Sequence, residues 1–255
     1  MSYNYNKLAL FDLDRTLIRV STGHKTAFSI GFKMVYGIDA KIDEINYYGM
    51  TDQQVIIEVL KNHGVEEQTI KLNLKKCMKV MIDSYNKMIE SDEVIALDGV
   101  RELLNELSKS NVLLGLVTGN LEPVAISKLK KANLDHYFMV GGFGTDDINR
   151  VSLVKLAIKR SIKNFDFKFD NNVFLFGDTP LDMQAGKKAG IKTIGIATGI
   201  YSKVQLESSE ADFVLKNLKD KNAVLEIVLY TKSSERISKE KKKKQTSRNG
   251  ISFQE

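Results

Sequence analysis

Two aspartates one residue apart, Asp12 and Asp14, stand in the run Phe11-Asp12-Leu13-Asp14-Arg15-Thr16-Leu17, directly after the apolar stretch Leu8-Ala9-Leu10-Phe11. A buried run that ends on two carboxylates is costly unless a cation or a shared proton relieves their repulsion. Residues two apart on an extended chain point the same way, so both carboxylates can face one ion. A second pair, Asp178 and Asp182, follows another apolar run, Val173-Phe174-Leu175-Phe176. Asp12, Asp14, Asp178 and Asp182 make an all-oxygen set with no accompanying His/Cys cluster. That donor chemistry predicts a hard divalent cation, Mg2+ rather than zinc.

These acids need strand ends to place them. Val112-Leu113-Leu114-Gly115-Leu116-Val117 runs into Thr118-Gly119-Asn120, and Val173 to Phe176 runs into Gly177-Asp178-Thr179. Thr193-Ile194-Gly195-Ile196 runs into Ala197-Thr198-Gly199. Short continuous apolar runs of this kind are the pattern of parallel strands buried on both faces. Between them, Val100, Leu103, Leu104 and Leu107 keep helical spacing, and Leu153, Leu156, Ala157 and Ile158 predict a helix after Ser152. The alternation predicts an α/β fold: a Rossmann-like parallel sheet core flanked by helices, with ligands at the carboxyl ends of the strands.

Between Ile18 and about Ala96 the strand rhythm stops. Ile70, Leu74, Cys77, Met78, Met81, Ile82 and Tyr85 form one helical stripe, preceded by a shorter helix around Val55, Ile56, Val59 and Leu60. The expected organisation is therefore a core of residues 1–18 plus 97–231, a smaller α-helical cap at 19–96, and a basic tail at 232–255. Cys77 and its neighbouring methionines, being on the stripe, read as core packing.

The 255 residues, 43% of them hydrophobic, suffice for one good-sized core and an accessory domain. The net charge of +6 is concentrated in the tail, where eight basic residues face three acidic ones. That leaves +1 for residues 1–231, so the basic balance says little about what the body binds. The tail lacks apolar periodicity and is expected to be disordered. Its run Lys241 to Lys244 reads as solvated charge, with a weak anchor for nucleic acid or anionic lipid as the alternative. A single cysteine excludes an internal disulfide, and no signal core or membrane-length apolar run is present. A cytoplasmic protein, monomeric or weakly dimeric, is the expectation.

In their order along the chain these residues resemble the motifs of the haloacid dehalogenase-like (HAD) hydrolases, over nearly all of residues 7–215. Asp12-Leu13-Asp14-Arg15-Thr16 is similar to the first motif, Thr118-Gly119-Asn120 to the second, and Gly177-Asp178-Thr179-Pro180-Leu181-Asp182 to the acidic fourth. The helical insert between the first two resembles the cap of the phosphoglycolate phosphatase and β-phosphoglucomutase branch. So do Gly49-Met50-Thr51-Asp52-Gln53 and Gly141-Gly142-Phe143-Gly144-Thr145-Asp146.

The resemblance implies an in-line attack of Asp12 on phosphorus, an aspartyl-phosphate intermediate, and Asp14 acting as general acid and then base. It implies Mg2+ held by the Asp12 carboxylate, the Asp14 carbonyl and Asp178, with Asp182 orienting that shell. The Thr118 hydroxyl and the Gly119 and Asn120 amides would meet phosphoryl oxygens, and Thr16 would support the Asp14 side chain. The family's basic residue, usually a Lys, is missing in its Lys-Pro form. Arg150 stands in its place, 32 residues after Thr118 and 28 before Asp178, with Lys155 the second choice. Arg15 occupies a place where glycine is common and reads as a tolerated variation. His24, 12 residues after Asp12, coincides with a histidine of β-phosphoglucomutases, and Lys25 adjoins it; both are candidate substrate contacts.

The expected function is a Mg2+-dependent phosphatase acting on a small soluble phosphomonoester, phosphoglycolate-like or a sugar phosphate, under a closing cap. A phosphomutase is the nearest alternative. Residues 49–54 carry no arginine for a second phosphate, which weighs against it. Dehalogenase and phosphonate chemistry fit less well because Asp14 is present to protonate a leaving oxygen. A non-catalytic binding protein addressed to nucleic acid by its tail is disfavoured by the full set of acids.

Overall fold

A computed structural model describes residues 5–19, 22–170 and 172–230 of the chain. The basic tail expected at 232–255, including Lys241 to Lys244, lies outside the described residues. Strand β1 (Lys7–Phe11) is followed by helices α1 (Thr22–Tyr36), α2 (Asp52–Asn62), α3 (Glu67–Met88) and α4 (Val100–Lys109). Then come β2 (Val112–Thr118), α5 (Glu122–Lys131), β3 (Val140–Phe143), α6 (Arg150–Phe165), β4 (Val173–Gly177) and α7 (Pro180–Lys188). The chain continues through β5 (Lys192–Ile196), α8 (Lys203–Ser208), β6 (Phe213–Leu215) and α9 (Lys221–Leu225).

The strands form one six-stranded sheet in the order β3-β2-β1-β4-β5-β6, every pair parallel. This is the expected helix-flanked parallel sheet. β1 sorts its residues between two faces at period two: Ala9 and Phe11 join the apolar layer with Leu103, Leu104 and Leu129, while Leu8 and Leu10 join Leu153, Val154 and Ala157. The chain crosses the sheet between β3 and β4, so the carboxyl ends of β1 and β4 flank the switch in direction where such sheets bind ligands. β3 and β6 were not marked by apolar runs. β3 contains Gly141 and Gly142, and a Cβ on Gly142 would lie 2.2 Å from the Leu153 carbonyl oxygen. Helix α6 rests directly on that backbone.

Helices α1–α3 surround an apolar cluster of their own, including Phe28, Phe32, Ile56, Cys77, Met81 and Tyr85, which also takes in Leu121 and Val124 at the start of α5. Cys77 is fully buried and burial pushes its thiol up to about 12, in line with a packing role. The segments that lead out of and back into the sheet pair with each other at Ile18 and Ala96, and Leu97 donates its N–H to Leu17 over 2.9 Å. No helix among the described residues is long and apolar enough to cross a membrane.

Candidate active site

Asp12 is the first residue past β1, and its N–H still donates to Phe176 of β4 at 2.8 Å, so the sheet itself fixes its backbone. Asp178 follows β4, and Asp182 lies in the first turn of α7. There Thr179 caps the helix and donates from both N and Oγ1 to Asp182 Oδ2, at 3.1 and 2.7 Å. One oxygen each from Asp12, Asp178 and Asp182 lies within 4.8 Å of the others, and all three residues are buried. Burial raises the Asp178 carboxyl to about 7, Asp182 adds to the effect, and Arg150 opposes it. Burial likewise pushes Asp12 well above the usual carboxylate range; Arg150 works against this, and Asp182, Asp178 and Asp14 add to it. Asp178 Oδ2 is buried with no hydrogen-bond partner among the described residues. A converging all-oxygen set with an orphaned carboxylate oxygen fits a hard divalent cation.

Arg150 opens α6, where the Asn149 side chain accepts the N–H of Val151 at 2.9 Å. Its Nη2 is 2.5 Å from Asp12 Oδ1 and 2.6 Å from Asp182 Oδ1, and its Nη1 donates to the Gly49 carbonyl at 3.2 Å. Burial disfavours its charge, but Asp182 and Asp12 outweigh that and bind its proton more firmly. Lys155, the alternative, is exposed on α6. The basic group beside the candidate nucleophile is Arg150.

Asp14 is held by a residue that the sequence reading did not single out. Lys128 of α5, 1% exposed, donates to both Asp14 oxygens at 2.8 Å and to Asn120 Oδ1 at 2.6 Å. Asn120 Nδ2 completes the clamp with 2.8 Å to Asp14 Oδ2. Burial alone would raise the Asp14 carboxyl, but the charges of Lys128 and His24 and these hydrogen bonds hold it below the usual range. The other side of Lys128 meets the inserted helices: His24 Nδ1 is 3.1 Å from its Nζ, and His24 Nε2 is 3.1 Å from Asp52 Oδ2. Asp52 Oδ2 also accepts the N–H of Leu121 at 2.8 Å. The sequence did hold a signal. Val124, Ala125, Lys128 and Leu129 share the buried face of α5, and a lysine in that position requires a counter-ion.

The loop before α2 closes the crevice. Gly49 has φ +80°, Asp52 N donates to the Gly119 carbonyl at 2.8 Å, and a Cβ on Gly119 would lie 2.4 Å from the Met50 carbonyl oxygen. Glycine at 119 is thus required by close approach of two backbones. The chamber has Asp12, Asp14, Asp178, Arg150, Gly119 and Asn120 on its floor. His24, Lys25, Phe28, Tyr47, Tyr48 and Met50 form its opposite wall.

Residues 9–196 match the family described as Haloacid dehalogenase-like hydrolase. The chain belongs to that family. This hydrolase is 25% identical over 218 residues to Pyrophosphatase PpaX of Listeria monocytogenes, an alignment covering 85% of this chain and 94% of that one. Its fold is similar to that of a hydrolase from Pseudomonas syringae (TM-score 0.66, 20% identity, 88% of this chain and 99% of the other). It is also similar to a predicted phosphoglycolate phosphatase from Haemophilus somnus (TM-score 0.65, 18% identity, 87% and 98% coverage).

Within this HAD-like hydrolase one expectation needs correction. Thr16 Oγ1 is buried without a hydrogen-bond partner among the described residues, so it does not support Asp14; Lys128 and Asn120 do. Thr118 is fully buried at the end of β2, and its hydroxyl oxygen accepts from Asn120 N and Nδ2 at 3.3 and 3.1 Å. It positions Asn120 from behind. The Asp14 carboxylate, taken by Lys128 and Asn120, stands apart from the acidic cluster, and the ligand role the resemblance implies for Asp14 is that of its backbone carbonyl. Lys25 reaches the chamber wall but is bound to Asp43 at 2.6 Å.

Proposed function

We propose that this hydrolase cleaves a small soluble phosphate compound through an aspartyl-phosphate on Asp12. The observation that carries the reading is the placement of the buried Asp12 carboxylate against Arg150, beside the Asp178–Asp182 pair, in a chamber at the strand ends. In the first step an Asp12 oxygen bonds to phosphorus as the bond to the leaving oxygen breaks, and that oxygen takes its proton from Asp14. Arg150, presenting two N–H-bearing nitrogens at the strand ends, draws phosphoryl oxygens toward Asp12 as charge develops. In the second step water attacks the same phosphorus, its proton passes to Asp14, and Asp12 is released with inorganic phosphate. Lys128 favours the ionised form of Asp14 that this second role needs. Asp12, Asp178 and Asp182 would hold Mg2+, together with the Asp14 backbone carbonyl. When bound, it offsets the repulsion between these carboxylates and an anionic substrate.

The substrate expected is a phosphomonoester of a small metabolite, admitted beneath residues 19–96, which we assign as a cap over a core of 1–18 plus 97–231. A second reading, inorganic pyrophosphate, is favoured by the relative's name and by Asp14 being ionised, because a phosphate leaving group departs without taking a proton. The phosphomutase alternative gains nothing from His24, whose two ring nitrogens face Asp52 and Lys128. A cytoplasmic setting without nucleic-acid binding by the body is in keeping with its near-neutral charge. The test is phosphate release from p-nitrophenyl phosphate, phosphoglycolate, sugar phosphates and pyrophosphate with Mg2+. Turnover lost in Asp12→Asn is expected; turnover undiminished in that variant, or none in the parent protein, would falsify the proposal.

A further inference from the structure

Arg15 is the residue of the first acidic motif that the steps above leave without a task. Its φ is +64°, a left-handed conformation that costs a side-chain-bearing residue on the order of 1–2 kcal/mol and that glycine adopts freely. The surroundings impose it from both sides: Arg15 N donates to the Ile18 carbonyl at 2.8 Å, and Thr198 Oγ1 donates to the Arg15 carbonyl at 2.5 Å. A strained backbone that is pinned in this way points to a use for the side chain.

The side chain goes to the chamber. Its guanidinium carbon is 5.3 Å from the centre of the Tyr48 ring, which stacks on Tyr47 with 4.5 Å between centroids and 27° between planes. Stacking on an aromatic face fixes a guanidinium without consuming its in-plane donors. The other cations around the chamber are committed: Arg150 to Asp12 and Asp182, Lys128 to Asp14, and Lys25 to Asp43. Arg15 lines the chamber with Asp12, Asp14 and Asp178, yet has no ion pair or side-chain hydrogen bond among the described residues. Its charge reaches Asp178 only at longer range.

We propose that the Arg15 guanidinium, held on Tyr48, binds a second anionic group of the substrate, a phosphate or carboxylate on the leaving-group side. The inference rests on the phosphohydrolase reading and narrows its substrate class to small compounds with an oxyanion beyond the transferred phosphoryl group. A charge-assisted pair of hydrogen bonds is worth roughly 10- to 100-fold in affinity.

The test is titration calorimetry with Mg2+ on the full chain, using three non-hydrolysable probes: imidodiphosphate, phosphonoacetate and methylphosphonate. Arg15→Gly relieves the backbone and removes the charge; Arg15→Asn removes the charge but also tolerates a positive φ. Both variants should lose at least tenfold of the parent's preference for imidodiphosphate or phosphonoacetate over methylphosphonate. A larger loss for imidodiphosphate assigns a phosphate, and a larger loss for phosphonoacetate a carboxylate. An unchanged preference, or a loss confined to Arg15→Gly, overturns the inference and leaves the phosphohydrolase reading intact. Absence of binding of all three probes to the parent protein overturns both.

Discussion

Replacing Lys128 by Met keeps most of the buried stem and removes the ammonium that grips Asp14. The ammonium belongs to a side chain 1% exposed, in contact with Asp14, Asn120 and His24, whereas the Asp14 side chain is 24% exposed. Breaking a fully buried ion pair costs about 3–5 kcal/mol. Water can reach Asp14 in part, and the variant no longer desolvates a lysine, so about 2–3 kcal/mol is expected here. At roughly 2–4 °C per kcal/mol for a chain of this size, the melting temperature falls by about 4–12 °C. Without the lysine charge the Asp14 carboxyl rises, and the acid limb of the kcat profile moves to higher pH because Asp14 must be ionised to accept the proton from water in the second step. Misplacement of Asp14 and Asn120 should lower kcat by roughly 10²-fold while KM changes little. Urea unfolding and a pH–rate profile of the variant measure both effects. Stability within about 0.5 kcal/mol of the parent together with an unmoved acid limb would refute the clamp, because a surface lysine behaves that way.

The acidic cluster makes cation binding and stability pH-dependent. Asp178 has its carboxyl raised to about 7 in the folded metal-free chain, so the folded state binds more protons than the unfolded one between about pH 4 and 7, and this contribution to stability is lost as pH rises through that window. The stabilisation by saturating Mg2+ should accordingly grow from pH 5.5 to 8, by at most about 2 kcal/mol, and lose most of that growth in Asp178→Asn. A thermal shift with Mg2+ that is the same at both pH values would remove the basis for assigning the ion there. Arg150→Lys retains a charge but not the geometry that spans Asp12, Asp182 and the Gly49 carbonyl. We expect kcat/KM to drop at least tenfold on every substrate turned over, whereas Lys155→Ala, at an exposed position, should stay within a factor of two.

Strands β1, β2, β4 and β5 were legible because strands buried on both faces must be almost wholly apolar, and each run ends where the chain turns polar. β3 escaped because Gly141 and Gly142 let α6 pack on bare backbone, and three-residue β6 is too short to carry a period. The helices between β1 and α4 were legible from the Ile70 to Tyr85 stripe. The individual helix α1, which carries His24 and Lys25, was not, because Gly23, Ser29 and Gly31 interrupt its apolar period. Arg150 could be placed by its order between Thr118 and Asp178, although only its contact with Asp12 distinguished it from Lys155.

The sequence by itself determined the acids and the order of the strand ends that bring them together, since residue type and local periodicity are properties of the chain. Which charges balance which was decided only by the tertiary structure. Asp14 and Lys128 are 114 residues apart, Arg150 and Asp12 138 apart, and Arg15 meets Tyr48 across a crevice. Electrostatic pairing depends on distance in space and on exclusion of water, neither of which spacing along a chain encodes. The same carboxylate type therefore emerges in opposite states, Asp12 and Asp178 raised by burial and by their neighbouring carboxylates, and Asp14 lowered beside a buried lysine.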